Sequence, residues 1–416
     1  MNQMSGAKAA GSLDPSFGND GIAALPRMTR AIAALPNNKL IVYSGESLRE
    51  PITVARLTEA GDLDASFGDG GVVEVSVTGP RMLARRIIAL KNGNYLIAGY
   101  EAGIDSTRRY VIRLLQDGQV DTSFGEGGMA TLQVVDTKSR DIGEGARFLS
   151  NREEEVIADA NFFTDDRLVV SEQSGKIYFG AHIISDKGYA GVVFRLNENG
   201  SRDTSFNGGY TLVRSTDGSS PIRLESLDVH GDGVLVGGAL TDTSYNGDAY
   251  LKRFNQIGQV DTLFGKGGTV IIPNGSDGRT SVITSVSVSG NGLIVASGES
   301  MKGGGSEGLI AVFNAKGSYN LIFNKGQPLY ENFSLNLKFS TCVLQQDRKI
   351  IVTGSGDGYL VAARYDLNGS LDLAFGEKGW VVFHPIGTSR VRSSELTADN
   401  KIVVLEGGPT AVRYLG

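Results

Sequence analysis

The chain has 416 residues, a net charge of −6 and a single cysteine. The acidic balance argues against a general nucleic-acid binder, no apolar run approaches the ~18 residues that span a bilayer, and lone Cys342 precludes an internal disulfide. Glycine, at 57 residues, is about twice its usual share of roughly 7%, which suits a chain built on tight turns.

In chain order, residues 1–10 lack the apolar stretch of a secretory leader and are expected to form a flexible N-terminal segment. The phrase G-S-L-D-P-S-F-G-N-D-G begins at Gly11, and one strand follows it before Pro26. Four strand-like runs come next: Ala31–Leu35, Lys39–Tyr43, Thr53–Leu57 and Val72–Val75. They are short, alternating or briefly apolar, and bounded by Gly, Asn and Asp, which favours strands over helices. Comparable runs start at Asn94, Lys176, Val234, Leu293, Lys349 and Lys401. The last stretch supplies Ser394–Leu396, Lys401–Leu405 and Ala411–Tyr414 and then stops.

The opening phrase returns from Gly61, Gly118, Gly200, Gly258, Gly317 and Gly369. Its phenylalanines, Phe17, Phe67, Phe124, Phe206, Phe264, Phe323 and Phe375, lie 50 to 59 residues apart, except for 82 between Phe124 and Phe206. Four strands in roughly 50 residues, repeated, is the pattern of a propeller blade. Seven copies predict an all-β, seven-bladed β-propeller with four-stranded blades over residues 11–416. The N-terminal strand is expected to complete the C-terminal blade, because joining Arg413–Gly416 to Ala10–Asp14 restores the spacing of the other copies. That closure leaves no open ring edge for another chain to pair with.

Within each copy the first Gly fits a hairpin turn with φ > 0. The residue after Phe is Gly or Asn throughout, which predicts a left-handed conformation. The Phe itself is expected to plug between blades.

Charge follows the repeat. Arg56, Arg113, Arg195, Arg253 and Arg364 each stand eight residues before Asp64, Asp121, Asp203, Asp261 and Asp372, and Arg413 pairs with Asp14 around the closure. In the copy from Gly317 both charges vanish together, leaving Val312 and Asn320. Joint loss points to structural ion pairs across the hairpin, since a half-broken buried pair costs about 3–5 kcal/mol. A ring of the repeated acids acting on metal or substrate is the competing reading.

The G-x-L-D-x-S-F-G-x-x-G unit, preceded by a strand ending in Arg-Leu or Arg-Tyr, resembles the bacterial delta-60 repeat, a propeller-type module. The resemblance covers about residues 11–416, and the copies at Gly200 and Gly317 depart from it. It implies a repeat scaffold and transfers no catalytic signature to positions here.

The long interval holds an insertion at about 134–166, where Ser150-Asn-Arg-Glu153 has capping-box spacing and predicts a helix over 151–163. The insertion is expected in the link between two blades, as a docking element or as cover for an apolar patch. His182, His230 and His384 fall in different blades without ligand-type neighbours, so no metal site and no cofactor are expected. Gly303–Gly305 lacks the Gly-Lys-Ser/Thr of a phosphate loop.

Aligning the starts of the inner strands brings Arg30, Arg86, Arg167, Glu225, Ser285, Thr341 and Ser394 to comparable positions. Arg30, Arg86, Arg167 and Glu225 are the candidate ligand-binding residues, because convergent guanidinium groups hold a carboxylate or phosphate bidentately; a solvated polar rim is the bland alternative. The expectation is a monomeric, non-enzymatic binding scaffold for a protein or carbohydrate partner, cytoplasmic or exported without a Sec signal, engaging neither nucleic acid nor membrane. The alternative is a glycan-active propeller enzyme using channel-face carboxylates.

Overall fold

The computed structural model of the chain describes residues 9–45, 51–77, 82–101, 108–134, 146–148, 167–171, 173–215, 222–231, 233–240, 247–273, 278–345, 347–376, 378–383, 391–406 and 409–416. It is a seven-bladed β-propeller in which every blade is an antiparallel sheet. Blade one consists of Thr29–Ala34, Leu40–Ser44, Ile52–Leu57 and Val72–Val75, from the inner strand outward. Blades two to six occupy 82–133, 147–213, 223–272, 280–331 and 338–383. Blade seven takes Val391–Leu396, Ile402–Glu406 and Thr410–Tyr414, and Ile22–Ala24 pairs with the last of these as its outer strand. The ring therefore closes by the N-terminal strand, and Gly11 N donates to Leu415 O across the join at 2.7 Å.

The second strands read as near-continuous apolar runs because both of their faces are covered. Leu40 and Val42 of blade one pack toward blade seven, while Ile41 and Tyr43 pack toward blade two. The hydrophobic core is accordingly divided into layers, each between two neighbouring blades. All seven motif phenylalanines are buried at these layers, and burying one such ring contributes about 1.5–3 kcal/mol.

The motif turns interlock. The first Gly of a copy lies against the Phe of the preceding blade or the residue after it: a Cβ on Gly118, where φ is +87°, would come within 2.6 Å of Phe67 Cζ. The residue after Phe is left-handed in every copy, from φ +42° at Asn324 to +60° at Gly376. Asn207 and Asn324 replace Gly where a short 3₁₀ turn, Asn207–Gly209 or Phe323–Gly326, leads into the outer strand. Their side-chain amides donate to Tyr210 O and Pro328 O, which stabilises the altered turns.

Six inner strands carry a β-bulge at one place, between Thr29 and Ala31 in blade one and between Leu224 and Ser226 in blade four, for example. Blade three differs. Phe148 pairs with Ile183 and Arg167 with Gly180, so its inner strand is made of two pieces, Arg147–Phe148 and Arg167–Val170. The extra chain thus enters inside the inner strand, at the bulge position, rather than in the link before it. The helix expected over 151–163 lies outside the described residues, as does His384.

Gly118→Ala is expected to lower stability by about 1–3 kcal/mol through left-handed strain and the Phe67 approach. Gly267→Ala, at φ +60° with open space around it, should cost less. Urea unfolding midpoints of the two variants check this.

Candidate functional site

The repeated charges meet in pairs. Arg Nε lies 2.7 or 2.8 Å from Asp Oδ2 in Arg56–Asp64, Arg113–Asp121, Arg195–Asp203, Arg253–Asp261, Arg364–Asp372 and Arg413–Asp14. Each guanidinium also covers its own motif Phe, 4.4–5.1 Å from the ring centroid, at the distance of a cation–π contact. In five blades Nη1 reaches forward to a carbonyl of the next blade's turn: Gln116, Glu198, Gln256, Ala315 or Glu59, at 2.5–3.3 Å. Where Val312 and Asn320 replace the pair, only the backbone bond from Asn320 N to Val312 O survives, and Asn320 Oδ1 accepts from Ile322 N.

A second cation attends four of these acids. Lys39, Lys176, Lys349 and Lys401 approach Asp64, Asp203, Asp372 and Asp14 within 2.7–3.2 Å. All four head the second strand of their blade, a recurrence visible in the chain but easily read as mere strand boundary. For Asp14, burial pushes the carboxyl up, but the Ser16 hydroxyl and amide, Arg413 and Lys401 outweigh it and hold the pKa at about 2. Asp203 stands at about 2 for similar reasons, with burial opposed by Lys176, Ser205 and Arg195.

Residues that break the repeat gather on the opposite face, where inner strands begin. Arg86, Arg167, Ser285 and Thr341 occupy one equivalent position just past the bulge. Arg30 and Glu225 are the bulged residues themselves, one place earlier, and Ser394 lies one place later. Arg167 and Glu225, from adjacent blades, are brought together. Arg167 Nε donates to Glu225 O at 2.5 Å, its Nη2 is 3.5 Å from Oε2, and Arg223 Nη2 is 2.5 Å from Oε1. Arg86 instead acts on Glu395 of blade seven; burial pushes that carboxyl up to about 7 despite Arg86's opposing charge. Arg30 is half-buried in blade one.

His182, in blade three opposite the interrupted strand, completes the cluster. Its Nε2 accepts the Leu224 N–H at 2.8 Å, so Nδ1 carries the ring proton. Burial pulls its pKa down to about 4; Glu225 opposes this, and Arg223, Arg167 and Arg109 reinforce it. Buried Arg109 lies 5.3 Å from the Tyr100 ring centroid and 4.7 Å from that of Phe148, and Arg85 donates to Tyr100 OH at 2.9 Å. Arg109, Arg223 and His182 were not among the expected site residues; they sit on strands whose pattern reads as ordinary blade framework. Cys342 is buried, and its thiol is pushed up to about 11 by that burial. Among the described residues, no three His, Cys, Asp or Glu side chains are grouped to hold a metal ion, and no helix is long and apolar enough to cross a membrane.

The paired acids lead to a mutant cycle. Asp121→Asn should destabilise by about 3–5 kcal/mol. Combined with Arg113→Val it should cost at least about 1 kcal/mol less than the sum of the single changes, by urea unfolding; additive losses would contradict a coupled pair. The pKa shifts set a pH profile in two steps. His182, lowered to about 4 in the fold, takes up its proton first in the unfolded chain, so stability falls as pH drops from roughly 6.5 toward 4. Asp14 and Asp203, held at about 2, add stability present above an unfolded pKa of roughly 3.9 and lost as pH falls toward 2. Melting temperatures measured from pH 8 to 2 should show both steps, and His182→Gln should remove only the first.

A family described as "Domain of unknown function (DUF5122) beta-propeller" matches the chain over residues 90–124, 172–206 and 345–375. Each matched segment ends on a motif phenylalanine: Phe124, Phe206 or Phe375. A search of curated proteins found no match. Among solved structures, Sqt1 from Chaetomium thermophilum shares 15% identity over 96% of this chain and 98% of its own, with a TM-score of 0.51. A catalytically inactive virginiamycin B lyase from Staphylococcus aureus, solved with quinupristin, shares 8% identity over 95% and 99%, also with a TM-score of 0.51. At such identities the likeness is one of fold, and what the chain carries in common with its matches is a β-propeller repeat architecture.

Proposed function

We propose that the chain is a non-enzymatic binding scaffold whose channel mouth over blades one to four receives an anionic group of a protein or glycan partner. The observation that carries this reading is a division of charge. The repeated arginines and aspartates are tied to one another and, in five blades, to the next blade. A separate, non-repeated set, Arg30, Arg85, Arg86, Arg109, Arg167 and Arg223, collects around inner-strand starts with Glu225 and Glu395, and Arg167 and Arg223 engage Glu225. Convergent guanidinium groups suit a carboxylate or phosphate, offering paired N–H donors in one plane. Glu225 fixes Arg167 in place, and Arg86 and Arg30 extend the positive rim toward blade one. The fold neighbours include a lyase, and a glycan-active reading draws on one observation: Glu395, at about 7, is near half protonation at neutral pH and has the acidity of a general acid.

The test is binding of the full chain to arrays of acidic and neutral glycans and to purified acidic peptides, with Arg86→Ala/Arg167→Ala alongside wild type. Acidic ligands should bind preferentially, more weakly at higher salt, and about ten-fold or more weakly to the double variant. Binding indifferent to that pair would remove the site. Turnover of an arrayed glycan, abolished by Glu395→Gln, would replace the scaffold reading with the enzymatic one.

A further inference from the structure

The motif turns are not equivalent at their tips. In the copies of blades seven, one, two and three, the residue before Phe is Ser16, Ser66, Ser123 or Ser205. Each of these hydroxyls donates to its Asp Oδ1 at 2.6 Å and accepts from the Arg Nη2 at 2.9–3.3 Å. In the consecutive blades four, five and six that residue is Leu263, Ile322 or Ala374. The backbone bond to the acceptor oxygen persists, from Leu263 N, Ile322 N and Ala374 N, but the hydroxyl bonds are gone. Apolar side chains stand in water instead: Leu263 is 77% exposed, Leu321 79%, Ile322 60% and Leu373 71%. The turn geometry does not require them, since four other copies make the same turn with Ser.

Charge changes with the same three blades. Exposed Lys266 and Lys325 follow Phe in the copies of blades four and five, and blade six carries Glu377 followed by exposed Lys378, where the others have Asp69, Glu126 or Asn19-Asp20, or neither charge, as at Gly208. The described acids of these three turns are engaged: Asp261 with Arg253, Asp372 with Arg364, and Asp366 with Lys349. The turns are also physically continuous. Gly265 N donates to Lys316 O at 2.8 Å and Asn324 N to Asn368 O at 2.9 Å, so each tip abuts the next. Isolated exposed leucines are ordinary on protein surfaces, but several on adjoining turns, each with a lysine beside it, mark a contact surface.

We infer that the motif-face rim of blades four to six docks an acidic, amphipathic segment of a partner protein. The exposed Leu and Ile tips receive its apolar face, and Lys266, Lys325 and Lys378 meet its carboxylates. The charge complementarity selects this occupant: a copy of the same arc would set lysine against lysine, and a net charge of −6 repels an anionic bilayer. The surface lies on the face opposite the channel-mouth arginines, so its failure leaves that reading standing.

The test uses the full chain and two labelled peptides of matched length: one amphipathic with Leu on one face and Glu on the other, and a twin with Lys in place of Glu. Fluorescence anisotropy should show the Leu/Glu peptide binding about ten-fold or more tightly than its twin, with affinity falling as salt rises. One variant carries Leu263→Ser, Leu321→Thr, Ile322→Ser and Leu373→Thr, residues that other copies already bear. It should keep its melting temperature and lose binding about ten-fold or more. A second variant, Lys266→Glu/Lys325→Glu/Lys378→Glu, should reverse the peptide preference. Equal binding of both peptides, or binding unchanged by the first variant, overturns the proposal. So does a dimer in analytical ultracentrifugation that the first variant dissolves, or co-sedimentation with phosphatidylserine vesicles that the second abolishes.

Discussion

One guanidinium group, used on every side, holds this ring together. In Arg195, Nε donates to Asp203, Nη2 to Ser205 and Nη1 to the carbonyl of Gln256 in the next blade, while the ring of Phe206 lies beneath the plane. A buried cation is tolerated only when its donors are met, and a planar fork of donors meets this geometry where an ammonium could not. The same group therefore closes its own hairpin, seats the phenylalanine between blades and ties its blade to the neighbour. The adjacent glycine follows from it, since any side chain there would strike the Phe ring.

That interlock frees the other face to vary. Because cohesion resides in the motif turns and in the layers between blades, inner-strand starts can carry Arg in one blade, Glu in another and Ser or Thr elsewhere. The bulge is where this freedom is largest. A bulged residue has no partner across the ladder, so replacing it alters no pairing, and in blade three a whole additional segment enters at that point. The non-repeated charges assemble beside this interruption, with His182 facing the gap it leaves in the ladder.

Much of this was legible in the chain. Seven copies of one phrase define the blades, and the spacing of Arg413 and Asp14 around the ends discloses the closing strand. The joint lapse at Val312 and Asn320 singles out the charges that pair. Positions at the inner strands were less accessible. A single bulged residue shifts alternation by one, so Arg30 and Glu225 align with Arg86 and Arg167 by eye yet precede them in register. The lysines at Lys39, Lys176, Lys349 and Lys401 recur openly, but nothing in strand periodicity says that their amines reach an aspartate two strands away. Arg109 and Arg223 are hidden more deeply, since each meets groups from its own blade and from a neighbouring one.

The Nη1 strut described in five blades runs one way around the circle, from a blade to its successor. Blade five has Val312 where the strut belongs, so the joint between blades five and six is made without it. A closed ring under strain does not loosen evenly; it parts at its weakest seam. Here that seam is written into the chain, and it runs through the middle of the three blades whose turns present leucine, isoleucine and lysine to solvent.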